Sequence, residues 1–228
     1  MIGIIGAMKQ EVAILKALIA VQEVKKIMHV EFTVGTLHGK EVVLLESGIG
    51  KVNVAIAVTL LLDKFNVSQV INTGSAGGIN ADAEIGNVVI SDKISYHDVD
   101  VTAFGYALGQ IPELPAAFQA DDHLIAKAKQ VLTASGTKFF VGQILTGDAF
   151  ISRPEQLSKI KASFTEALAL EMEAAAIAQV CQIANVPFIV MRALSDIAGK
   201  ESQVAFEEFL PVAAKASSLV VEKLVQII

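Results

Sequence analysis

Three carboxylates stand far apart in this chain, each at the end of a short apolar run: Glu11 in GIIGAMKQE, Glu173 in ALALEMEAAAIA and Asp196 in FIVMRALSDIAG. Runs of that kind read as buried strands, and strand ends on one edge of an open α/β sheet converge on a single crevice. Three acids in one crevice suit acid–base chemistry on a polar small molecule, with one group protonated and another ionised. Two glycine-rich strand exits lie between them, ESGIGKVN and INTGSAGG, where backbone can approach a ligand without side-chain interference.

The elements that must position these groups alternate along the chain. Ile2–Ile5 reads as a strand and Met8–Ala20 as a helix, with apolar residues at Val12, Leu15 and Leu18/Ile19. Val30–Leu37 and Glu41–Glu46 flank His38-Gly39-Lys40 as a hairpin. Lys51–Phe65 is an apolar helix, Val70–Thr73 a strand and Gly86–Ile94 a strand. The long stretch Asp98–Asp121 has no periodicity, and loops of that length usually serve function or an interface. A helix from Asp121-Asp122 to about Leu132 follows, then a strand at Phe139–Leu145 and a short helix at Arg153–Ala162 with Pro154 in its first turn. Ala167–Met172 reads as strand, Glu173–Ala184 as helix, Pro187–Leu194 as buried strand and Glu201 to about Ile228 as a long last helix. No linker, repeat or low-complexity tract interrupts this order. It predicts one domain over residues 1–228: an α/β fold, a three-layer α/β/α sandwich around a mixed twisted sheet.

Most local motifs have a bland alternative. GIGKVN fails as a P-loop because the required glycine is Leu45, and as a dinucleotide fingerprint because Asn53 stands where glycine is needed. GSAGG fails as a nucleophile elbow because Thr73 stands two residues before Ser75. His29, His38, His97 and His123 each stand alone, so no metal is expected. Cys181 fits an apolar helix face. In EME, Glu171 and Glu173 point to opposite sides if the strand runs through them; equally, they decorate a helix N-terminus. Ser195-Asp196 reads as a plain N-cap, yet Arg192 in the same apolar run needs an acidic partner if buried, which points to a charged site there.

Composition narrows the class. A net charge of −6 without a basic stripe argues against nucleic acid. No apolar stretch reaches the ~20 residues of a membrane span, so no membrane partner is expected. One cysteine cannot form an internal disulfide, which suits a reducing, cytoplasmic setting.

Taken in order, GIIGAM with Glu11, SGIGKVNVA, INTGSAGG, YHDVDVTAFGYALGQIP, TGDAFI, LEMEAAAIA and RALSD resemble the bacterial 5′-methylthioadenosine/S-adenosylhomocysteine nucleosidases of the purine nucleoside phosphorylase-like superfamily. The likeness spans nearly the whole chain. It implies a homodimer without cofactor. The reaction implied is hydrolysis of the N-glycosidic bond of 5′-methylthioadenosine and S-adenosylhomocysteine, and of 5′-deoxyadenosine. By resemblance, Asp196 would protonate adenine N7 and Glu11 would activate water. Glu173 would bind the ribose 2′-hydroxyl, with Met172 against the sugar. Phe150 and Ile151 would hold adenine. Ser75, Gly77, Ser195 and Arg192 would lie at the site, Ser195 orienting Asp196, and Met8, Ile49 and Phe206 would line its apolar part. Val101, Phe104 and Pro112 would reach the partner subunit's 5′-thio pocket. Many relatives carry an acidic run where this chain has Lys9 and Gln10, positions without a chemical role.

The chemistry asks for the same division of labour. Adenine is a poor anionic leaving group, so Asp196 must be neutral when it acts, while ionised Glu11 and Glu173 would face the cation developing on the ribose. The nearest alternative is a purine nucleoside phosphorylase using phosphate. Hexameric phosphorylases of the superfamily carry arginine where this chain has Asn72, and a phosphate dianion needs cations. A non-catalytic nucleotide-binding α/β module is the other alternative, disfavoured by the missing fingerprint and the three acids.

Overall fold

The structure is a computed structural model that describes residues 1–200 and 202–228. In chain order the elements are β1 (Ile2–Gly6), α1 (Lys9–Leu18), β2 (Ala20–Ile27), β3 (Val30–Leu37), β4 (Lys40–Glu46), α2 (Lys51–Lys64), β5 (Gln69–Gly78) and β6 (Val88–Tyr96). After them come β7 (Phe118–Gln119), α3 (Asp122–Ser135), β8 (Phe139–Thr146), α4 (Pro154–Ser163), β9 (Ala167–Glu171), α5 (Ala174–Ile183), β10 (Phe188–Ile197) and α6 (Ser202–Ile227).

β1 is buried along its whole length and alternates between two cores, as strand geometry requires. Ile2 and Ile4 pack with Val12 and Leu15 of α1 and Val221 and Leu224 of α6. Ile5 faces the other side, against Val54, Ala57, Val58 and Leu61 of α2 and the alanine-rich start of α5. Those α2 positions recur at helical spacing, and the small alanines of α5 let the two helices lie close. Helices on both faces of a mixed sheet give the α/β/α layering.

Parallel pairing carries the site. β1 pairs parallel with β4 and β5, and β5 with β10, so the carboxyl ends of all four strands share one edge. The sheet is open only from β5 through β1, β4 and β3 to β2. On the other side β5, β10, β6, β8 and β9 close into a ring, because β10 pairs with both β5 and β6 while Gly77 and Gly78 of β5 pair with β9. A bulge in the β5–β10 pairing between Leu194 and Asp196 sharpens the local twist that such closure needs.

Several expectations shift. β5 runs on through GSAGG, so the glycines lie inside the strand rather than after it. β10 continues through Ser195 and Asp196; these two residues sit in the bulged strand and are not an N-cap. Hydrogen bonding of Leu194 to the Asn87 carbonyl and of Ala198 to the Gly78 carbonyl keeps that segment extended. β2 is a further strand that the sequence pattern does not announce. Its Val21 and Val24 break period-two alternation because a register shift separates Val21 from Glu23, and the strand is exposed as the sheet's edge. The hairpin forms as read, with His38 and Gly39 both at positive φ. Within 98–121 the regular elements are a 3₁₀ turn at Thr102–Phe104 and β7. Glu201, where the last helix is expected to begin, lies outside the described residues. Among those described, no helix is long and apolar enough to cross a membrane.

Candidate active site

A cavity of about 350 Å³ opens at the shared strand edge. Glu11, Met8, Ile49, Ser75, Gly77, Phe150, Met172, Glu173, Ser195, Asp196 and Phe206 all line it, joined by Ala7, Ala76, Leu170 and Glu171. Its walls are largely apolar, with a few polar groups converging inside, as small-ligand sites usually are. Phe150 and Phe206 meet edge to face, with centroids 5.7 Å apart.

Glu11 sits in the first turn of α1 and is 1% exposed. Its Oε2 accepts from the Ala7 and Met8 N–H groups at 2.9 and 3.1 Å. Its Oε1 accepts from the Ser75 N–H at 2.8 Å and the Ser75 hydroxyl at 2.9 Å. All four neighbours donate, so the group is held as an acceptor. Asp196, 2% exposed on β10, has a different setting. The Ser195 hydroxyl donates to its Oδ1 at 2.9 Å, and Gly77 lies across from it in register. A Cβ on Gly77 would stand 3.1 Å from Asp196 Oδ2, closer than an ordinary contact, so the strand can pass the carboxyl at this distance only with glycine.

Glu173 precedes α5 and accepts from the Gly50 N–H at 2.9 Å. Burial pushes its carboxyl up to about 8, helped by the Glu171 charge and opposed by Arg192 and the Gly50 N–H. Glu171 has a holding role. It accepts from the Glu173 and Ala174 N–H groups, satisfying the open start of α5, and it binds the Thr146 hydroxyl and Arg192.

Arg192 is a correction to the expected site. It does not reach the cavity. Its guanidinium is fully buried behind the wall, bound to Glu171, to Asn72 Oδ1 at 2.9 Å and to the Thr73 carbonyl at 3.5 Å, with Glu173 at 3.6 Å. Burial works against its charge, but Glu171, Glu173 and Glu11 outweigh that and keep it cationic. The need for an acidic partner was readable in the sequence; which side of the strand would supply it was not. Gly74 makes the arrangement possible, since a Cβ there would lie 2.3 Å from Arg192 Nη1 and 2.7 Å from Glu11 Oε1. Ile151 lines a small adjoining hollow that shares Gly77, Phe150, Met172 and Asp196 with the cavity. Val101, Phe104 and Pro112 line no part of this chain's own cavity, and Phe104 is 81% exposed. Ala7, Ala76 and Leu170 carried no signal, being apolar strand-end residues like many others.

Residues 1–226 match the phosphorylase superfamily. The 5′-methylthioadenosine/S-adenosylhomocysteine nucleosidase of Staphylococcus saprophyticus is 51% identical over 228 residues, covering all of both chains. Among solved structures, the Neisseria meningitidis nucleosidase of that name, in complex with methylthio-immucillin-A, superposes with a TM-score of 0.97 at 42% identity, covering 100% of this chain and 99% of that one. The Colwellia psychrerythraea nucleosidase, in complex with adenine, gives 0.96 at 48% identity, covering 98% and 93%.

Proposed function

Because the chain belongs to the phosphorylase superfamily and, within it, to the 5′-methylthioadenosine/S-adenosylhomocysteine nucleosidases, we propose that its cavity hydrolyses the N-glycosidic bond of those two nucleosides, and of 5′-deoxyadenosine, by acid–base catalysis. The observation that carries the reading is one cavity holding two buried carboxylates in unlike surroundings, Glu11 among four donors and Asp196 beside the Ser195 hydroxyl. Pairs of acids set apart by their environments divide the roles of base and acid.

In this mechanism Asp196 delivers its proton to adenine N7, the C1′–N9 bond breaks, and adenine leaves neutral. Positive charge then spreads over C1′ and the ring oxygen of the ribose. Water adds to C1′ while Glu11 takes its proton. One proton must pass from Glu11 back to Asp196 through solvent before the next turnover. Glu11 can accept the water's proton only if one of its four donors gives way, and the Ser75 hydroxyl is the one free to turn. Glu173 binds the ribose 2′-hydroxyl. It is mostly neutral in the empty site at pH 7, given its elevated titration, and a cation forming on the sugar favours its ionised form. Met172 packs on the sugar, the Phe150 ring and Ile151 backbone take the base, and Met8, Ile49 and Phe206 supply apolar wall. Arg192 acts from behind by keeping Glu171 and the start of α5 in place.

Phosphorolysis is disfavoured because the guanidinium behind the site is already held by Glu171 and Asn72, leaving it unavailable to a phosphate dianion. The reading extends to a homodimer, with 1–228 as one domain. Ile49, which lines the cavity, is half exposed, and Val52 and Phe104 are exposed apolar side chains elsewhere on the surface; a second copy would cover them and bring its Val101, Phe104 and Pro112 to the 5′-thio end. A single buried thiol fits the cytoplasm. Incubation with each of the three nucleosides at pH 7, followed by adenine release, tests the proposal; no adenine from methylthioadenosine or S-adenosylhomocysteine would sink it.

A further inference from the structure

Three segments from distant parts of the chain meet beside the cavity around one lysine. Lys51, the first residue of α2, donates from Nζ to Asp98 Oδ2 at 2.7 Å and stands 3.8 Å from Asp148 Oδ2. Its main-chain N–H donates to Asp148 Oδ1 at 2.8 Å. The Asp148 N–H in turn donates to the same Asp98 Oδ2 at 2.9 Å, which closes the ring. The ammonium also lies 5.3 Å from the centre of the Tyr96 ring. The surroundings are tight: a Cβ on Gly147 would fall 2.4 Å from the His97 ring, and one on Gly50 3.2 Å from Asp148 Oδ1.

Each member adjoins a site residue. Gly50, just before Lys51, donates to Glu173 at 2.9 Å, and Ile49 lines the cavity. Asp148 lies two residues before Phe150. Asp98 leads into the 3₁₀ turn that carries the exposed Phe104. Burial alone would raise the Asp98 carboxyl, but the hydrogen bonds from Lys51 and the Asp148 N–H, with the lysine charge, outweigh it and hold it below the ordinary carboxylate value. These side chains are partly exposed, and pairs of that kind contribute little to global stability. Two of the three bonds nevertheless engage main-chain N–H groups, so the ring constrains where backbone lies. None of the three side chains lines the cavity, and the catalytic steps do not use them.

We propose that Lys51 is a positioning residue: with Asp98 and Asp148 it sets the separation between the segment 148–151, which takes the purine, and the Gly50–Glu173 contact, which takes the ribose. The inference rests on the nucleosidase reading above. It makes a distinction that a general loss of order does not. A nucleoside spans both subsites and needs their spacing, whereas adenine alone occupies one. A shift of about 1 Å in reacting groups can cost on the order of 10²-fold in rate.

The test uses full-length wild type, Lys51→Met, Asp98→Asn, the double variant and Lys51→Arg. It reads kcat/KM for methylthioadenosine, the dissociation constant of adenine by calorimetry, and Tm. Lys51→Met should lose about 10- to 100-fold in kcat/KM, while adenine affinity stays within about threefold. Asp98→Asn should fall in the same direction, and the double variant should be no more than about threefold worse than Lys51→Met, because both break one ring. Lys51→Arg, which keeps a cation between the two carboxylates, should recover most of the loss. Equal losses for adenine and nucleoside, or a kcat/KM within about threefold of wild type, would overturn the positioning role alone. A wild type that releases no adenine would overturn the nucleosidase reading and this inference with it.

Discussion

Replacing Glu173 by glutamine should make the protein more stable at alkaline pH while removing its activity. In the folded chain the Glu173 carboxyl titrates near 8 instead of its ordinary 4.5. Between those values the native state keeps a proton that the unfolded chain has given up. The stability tied to that proton is fully present below 4.5 and is lost as pH rises toward 8. At ~1.36 kcal/mol per pKa unit, the native state gives up about 3–4 kcal/mol between pH 5 and pH 8 on this account. Glutamine has no proton to lose, so the variant lacks that slope. It keeps an acceptor for the Gly50 N–H but faces Arg192 with an amide, an offset of ~1–2 kcal/mol that does not depend on pH. Urea unfolding of both proteins at pH 5, 6.5 and 8, with m-values compared, should show the variant gaining about 3 kcal/mol relative to wild type across the range. A stability difference that stays constant from pH 5 to 8 would refute the argument that burial holds a proton on Glu173.

Asp196→Asn and Glu11→Gln should each lower turnover by roughly 10²–10⁴-fold, with smaller effects on binding of an uncleavable analogue; near-normal turnover in either would mean that the role lies elsewhere. Gly74→Ala places a methyl between Arg192 and Glu11, so it should cost about 1–3 kcal/mol in urea unfolding and depress activity together, and an unchanged midpoint would contradict the packing described for that position. Phe104→Ala should weaken binding of nucleosides with long apolar 5′ groups by about tenfold while leaving adenine binding nearly unchanged. The same experiment has a control in sedimentation: a chain that is monomeric at micromolar concentration yet fully active would exclude the shared pocket.

The convergence of Glu11 and Asp196 is legible in the sequence because each lies at the end of an apolar β run, and the parallel strands β1, β5 and β10 bring their carboxyl ends to one edge; Glu173 arrives there from β9, which crosses antiparallel to the end of β5. What could not be read depends on pairing between distant segments. LSDIAG reads as a cap and a helix start, which would place Asp196 after its strand. The bulge against β5 that keeps it extended is set by residues more than a hundred positions away. The same holds for the ring closed through Gly77 and Gly78: two glycines announce close approach but not of which strand. Arg192 lay in a run that demanded an acid, and either face of the strand could have supplied one. Lys51, Asp98 and Asp148 meet from three separate segments, each an ordinary surface residue in isolation.

The central claim is that water, and not phosphate, takes the ribose after Asp196 protonates the base. Methylthioadenosine should be turned over in ¹⁸O-labelled water, with and without inorganic phosphate, and the sugar product identified by mass spectrometry. The account predicts free methylthioribose carrying the label at its anomeric oxygen, formed at the same rate in both buffers. Methylthioribose-1-phosphate as the main product, or turnover that requires phosphate, would contradict it.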